Sequence, residues 1–104
     1  MSSIKQLLIA ARKLIENPEH WTQGVMARNC DGHSTYYRNG GAFCFCASGA
    51  LQRVQADIGL TFDDLHRSMW ILEGFCPVDI LHFNDSHTHQ EVLNVFDKAI
   101  ANCG

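Results

Sequence analysis

The run AFCFCASGALQRVQADI, residues 42–58, constrains this chain more than any other stretch. Phe43, Ala47, Ala50, Leu51, Val54 and Ile58 recur at helical spacing and would share one face of a helix. Its opening turns, Ala42 to Ala47, are apolar on nearly every side, and a helix apolar all round belongs in an interior. Ala47, Ser48, Gly49 and Ala50 are small enough to let neighbouring backbones come close. The expectation is a central helix over 42–58, stopped by Gly59, with the other elements wrapped around it. A strand over AFCFCA competes with this, placing Phe43 and Phe45 on one face and Cys44 and Cys46 on the other. The helical period that continues to Ile58 favours the helix.

The other elements follow in chain order. Ser3 with Gln6 has the spacing of a capping box. Ile4, Leu7, Leu8, Ala11, Leu14 and Ile15 then repeat helically until Asn17-Pro18 ends the run. Segments 23–29 and 33–38 flank Asp31-Gly32, a dipeptide suited to a tight turn, so a β-hairpin over about 23–38 is expected. A lone hairpin is marginal in water and needs a helix or another strand against it. Thr61 with Asp64 opens a helix carrying Phe62, Leu65, Met69 and Leu72, closed by Gly74 with Pro77 beyond. Residues 78–83 read as a short third strand. Thr88 with Glu91 opens the last helix, which carries Val92, Leu93, Phe96, Ala99, Ile100 and Cys103. The sum is an α+β fold in a single domain, 1–104: about four helices around the central helix 42–58, with the hairpin and the short strand on one side.

At 104 residues, folding hides roughly 65% of the unfolded surface, enough for one modest core. Hydrophobic residues at 46% and charged residues at 18% argue against disorder and leave room for an apolar surface used in self-association. The net charge is −3 and no run of Lys or Arg exceeds two, so nothing marks a nucleic-acid partner. Lys5, Arg12 and Lys13 interrupt the first 15 residues and no small-residue cleavage site follows, unlike a secretory signal. No apolar run approaches the roughly 20 residues of a membrane span. Five cysteines, an odd number without a signal peptide, point to reduced thiols in a cytoplasm.

Read together, W-T-Q-G (Trp21 to Gly24), D-G (Asp31-Gly32), C-A-S-G-A-L (Cys46 to Leu51), N-D (Asn84-Asp85) and T-x-x-E-V (Thr88 to Val92) resemble a family of small bacterial and phage proteins of unknown function. The resemblance implies a soluble single domain and supplies no activity. The loop between hairpin and central helix is shorter here than in that family.

Three groupings could carry chemistry. A zinc ion would draw on Cys44, Cys46, His82 and one of His87 or His89. Cys-x-Cys on a helix points its sulfurs about 200° apart, however, and cysteine is commonly a small buried hydrophobe, so no metal or cofactor is expected. A Cys–His hydrolase or transferase would use Cys46 or Cys44 as nucleophile, His82 or His87 as base, and Asn84 or Asp85 to orient the ring. Cys46 falls one turn from Phe43 and Ala50, on the core side, where a thiol is inert. The polar run Asn84-Asp85-Ser86-His87 precedes a helix N-terminus and could form a small pocket walled by Trp21, Gln23 or Tyr37. Trp70 and Ile71 lie off the main stripe of their helix, which makes that helix the one to show apolar surface for a homo-oligomer. The preferred reading is a soluble binding module for an unknown protein or small ligand. The alternative is the Cys–His enzyme.

Overall fold

The computed structural model describes residues 3–103. Helix α1 (Ser3–Leu14) lays Leu7, Leu8 and Ala11 into the core, as their spacing predicts. Ser3 is already helical, and the position before it lies outside the described residues. The Asn17 side chain accepts from the Glu19 N–H and starts a single 3₁₀ turn, Pro18–His20. Proline sits there at a position whose N–H has no partner to lose.

Strand β1 (Ala27–Asn29) pairs antiparallel with β2 (Ala42–Phe45): Ala27 faces Phe45, Arg28 faces Cys44, and a bulge follows Arg28. Two expectations are corrected here. The hairpin's second arm, 33–38, meets β1 only where Ser34 bridges Arg28. Asp31-Gly32 does turn the chain, with Gly32 at φ +84°, but the long partner of β1 comes from residues read as the start of the central helix. Helix α2 (Ala47–Ile58) begins only after Cys46, whose sulfur accepts from the Gly49 N–H at 3.2 Å.

Gly49 shows why the helix cannot start earlier. A Cβ on it would lie 2.1 Å from the Met26 carbonyl oxygen, so the first turn of α2 rests on the backbone leading into β1. The Cys46 N–H donates to that same carbonyl at 3.1 Å. With Cys46 fixed there, the preceding residues leave along the sheet. Phe43 fits the helical stripe by coincidence: it is half-exposed against His20, while Phe45 is buried.

Gly59, at φ +80°, ends α2 as expected. Helices α3 (Phe62–Glu73) and α5 (His89–Ala101) open in the capping boxes Thr61/Asp64 and Thr88/Glu91. The third strand over 78–83 is the other correction. Asp79 accepts from the His82 N–H, and the chain forms α4 (Ile80–Ser86), burying Ile80, Phe83 and Asn84. Those three share one helical face, but seven residues span fewer than two turns, too few for the period to stand out from a short apolar run. The fold is α+β, with five helices and a two-stranded antiparallel sheet among the described residues.

Helix α1 packs against α2, α3 and α5, and α2 also meets α3, α4 and β2. Leu7, Leu8, Ile15, Leu51, Leu72 and Phe96 are sealed from solvent where these helices meet. Burying each contributes about 1.5–3 kcal/mol. Gly49→Ala should destabilise the protein by roughly 2–3 kcal/mol in urea unfolding, because the added methyl meets backbone that cannot rotate away. A loss below ~0.5 kcal/mol would show that α2 does not rest on Met26.

Candidate functional site: an amide clasp beside a sulfur-lined cleft

Asn84 is a polar side chain with no exposure to solvent, held on the inner face of α4. Its Oδ1 accepts from the Trp21 indole N–H at 2.8 Å and from the Ala47 N–H at 3.0 Å. Its Nδ2 donates to the Thr22 carbonyl at 3.0 Å and to Asp85 Oδ1 at 3.3 Å. Two acceptor sites and two N–H groups are all that a carboxamide offers, and all are used. Asp85 Oδ1 also accepts from the Gly24 N–H at 2.9 Å. Gln23 Nε2 donates to the carbonyls of Asn84 (2.9 Å) and His87 (3.0 Å).

The structure thus brings together Trp21, Gln23, Asn84, Asp85 and His87, the last through its carbonyl. Their bonds close on one another and on backbone. They clasp residues 21–24, the N-terminus of α2 and the C-terminal half of α4 in one network. Tyr37 is not part of it; its carbonyl accepts from Arg53 Nη1 at 3.0 Å. The W-T-Q-G, C-A-S-G-A-L and N-D runs, far apart in sequence, all have members in this clasp. The contributions of Thr22, Gly24 and Ala47 come from their backbones, so residue type did not mark them.

Next to the clasp, Gly24, Val25, Met26, Cys46, Leu81 and Asp85 line a cleft of about 280 Å³. The Cys46 sulfur lies 3.8 Å from the Met26 sulfur. Burial pushes the Cys46 thiol pKa up, and the N–H groups of Gly49 and Ser48 pull it back only in part. Asp85 shares this cleft, but neither candidate imidazole does. His82 stands on the outer side of α4 with Nδ1 2.7 Å from Asp79 Oδ2. The His87 ring stacks on Phe83 at 3.8 Å and lines a separate groove with Glu91, Asn94 and Lys98. His89 donates from Nε2 to the Ile15 carbonyl at 2.6 Å, joining α5 to the end of α1.

Cys44 is buried within β2, its sulfur towards the Arg28 carbonyl. Among the described residues, no group of three or more His, Cys, Asp or Glu is placed to hold a metal ion. The Gly41 N–H is occupied by Asn39 Oδ1 at 2.7 Å, within the Gly40-Gly41 loop.

A third feature lies on α3. Trp70 is 76% exposed and Phe62 69% exposed. Trp70, Ile71, Glu73, Gly74 and Asn102 border a groove of about 440 Å³.

Two outcomes follow from this geometry. Asn84→Ala strands the Trp21 indole N–H, the Ala47 N–H and the Thr22 carbonyl, and should cost roughly 3–5 kcal/mol in urea unfolding. Asn84→Asp keeps the acceptor but sets a carboxylate against the Thr22 carbonyl and Asp85. Its folded-state pKa is therefore raised, and its deficit relative to wild type should narrow as the pH falls. A pH-independent deficit would contradict the assignment.

The Asp79–His82 pair supplies a second pH signature. The hydrogen bond to Asp79 raises the His82 pKa above 6.5, and the His82 backbone N–H leads the causes that lower Asp79 below 3.8. A raised histidine stabilises below its unfolded value and loses that contribution as pH rises through the folded one. A depressed carboxylate stabilises above its unfolded value and loses that contribution as pH falls through the folded one. The pair is therefore complete between 3.8 and 6.5. NMR titration should place His82 above 6.5, and Asp79→Asn should return it towards that value. No change on substitution would remove the pair.

No curated protein and no solved structure matches the chain. Residues 1–102 match the model of a family of unknown function, DUF6197, and the chain belongs to that family.

Proposed function

We propose that this chain is a small cytosolic binding module, of bacterial or phage type, that works by contact rather than catalysis and associates with a second copy through α3. The supporting observation is Trp70, held 76% exposed on a well-capped helix beside an open groove. Tryptophan is enriched where protein contacts concentrate their binding energy. Covering about 150 Å² of its surface would contribute about 4 kcal/mol.

A second copy suits this face because the face is self-complementary. Phe62 and Trp70 bracket the Asp63–Arg67 ion pair on the outer side of α3. A two-fold axis across the helix turns each aromatic towards the partner's and each charge towards its opposite. The helix is about 18 Å long, so its face alone falls short of the roughly 800 Å² per partner that stable complexes bury. Association is accordingly weak and concentration-dependent. The cytosolic placement is supported by the five free cysteines. Among the described residues, no helix is long and apolar enough to cross a membrane.

Light scattering across a concentration series should show the mass rising from monomer towards dimer, with the rise abolished by Trp70→Glu. A constant monomer mass, or a dimer indifferent to Trp70→Glu, would overturn the reading.

A further inference from the structure

The cap of α2 is chemically odd. The other caps described for α-helices in this chain are oxygen acceptors: Thr61, Asp79 and Thr88. At α2 a sulfur takes that role, accepting from the Gly49 N–H. A serine hydroxyl would cap at least as well, so capping alone does not account for cysteine here.

What distinguishes this position is its neighbour. Met26 brings a second sulfur to 3.8 Å, and both residues line the cleft next to the clasp. We propose that Cys46 and Met26 form a two-sulfur site for a soft monovalent metal ion, Cu(I), open to exchange on the cleft side.

Geometry and ligand chemistry both support this. With metal–sulfur bonds of about 2.3 Å, sulfurs 3.8 Å apart subtend about 110° at the ion. That angle is about 10° short of the roughly 120° of a three-coordinate centre, which a small movement of the flexible Met26 side chain supplies; a linear two-coordinate one would need the sulfurs about 4.6 Å apart. A thiolate with a thioether is a soft donor set, which selects Cu(I) over harder divalent ions. Both residues line the cleft, so an incoming thiol from that side would complete the shell and carry the ion away.

Binding breaks the Cys46 S–H bond and forms an S–Cu bond, and the proton leaves by the cleft past the Asp85 carboxylate. No electron is transferred. The Gly49 N–H continues to donate to the sulfur, which becomes a better acceptor as the thiolate. Cys44 is outside the site: its sulfur is turned to the Arg28 carbonyl at 4.0 Å, and it does not line the cleft. The site is separate from the α3 surface, so its fate does not depend on self-association.

The test is titration of the full chain with Cu(I) under anaerobic reducing conditions, read by competition with a chromogenic Cu(I) chelator. Ag(I) serves as a redox-inert probe. A Cys30→Ser background removes the exposed thiol. One equivalent should bind, with a shift of the Met26 methyl resonance. Cys46→Ser, which keeps a capping oxygen, should abolish binding. Met26→Leu, close in volume, should weaken it ~10-fold or more. The proposal is overturned if no ion binds, or if the affinity is unchanged by either substitution.

Discussion

The whole arrangement depends on one buried carboxamide. Asn84 is sealed from solvent, where an unpaired amide costs about 1–3 kcal/mol by mutational measures. It avoids that cost only if the Trp21 indole, the Thr22 carbonyl, the Ala47 N–H and Asp85 all arrive together. Those groups come from three stretches with no local reason to meet. The requirement that a buried polar group be satisfied therefore acts as a long-range constraint, linking the 21–24 segment, the head of α2 and α4. Apolar packing of α1 and α2 could tolerate small sliding adjustments. The clasp cannot, since its bonds weaken steeply with angle and distance.

The same constraint shapes the surroundings. Holding Ala47 by its N–H fixes the first turn of α2, and that turn presses Gly49 onto the Met26 carbonyl. Cys46 is then confined between β2 and α2, its thiol under the cap and against Met26. Asp85, tied to the Gly24 N–H, forms part of the cleft wall. A structural device thus produces, as a by-product, a cleft with defined walls. The α3 surface is built differently. Its inner residues Leu65, Ser68 and Leu72 are buried, and its outer aromatics belong to no internal network among the described contacts.

How much of this was legible in the sequence depends on how local each cause is. The capping boxes Thr61/Asp64 and Thr88/Glu91 and the stop at Gly59 are properties of a few adjacent residues, and they were readable. Strand β2 was visible only as the competing reading of AFCFCA, which the helical period outweighed, because Ala42–Phe45 becomes a strand through pairing with β1, some fifteen residues away. Helix α4 was missed because Asp79 caps a helix too short to display a period. The clasp was half visible: the side chains of Trp21, Gln23, Asn84 and Asp85 stood out, but the backbone groups completing it carry no residue signature. The sulfur pair was invisible, since Met26 belonged to a segment read as a hairpin arm. Both of its sulfurs meet only once α2 has been placed.

The measurement closest to the central claim is hydrogen exchange at the Trp21 indole N–H, followed by NMR. If the clasp locks the fold, that proton exchanges only when the whole domain unfolds, and its opening free energy equals the global one from denaturant unfolding. Exchange well before global unfolding would mean that Asn84 is released in the native state, and the fold would have to be held by its apolar helices alone.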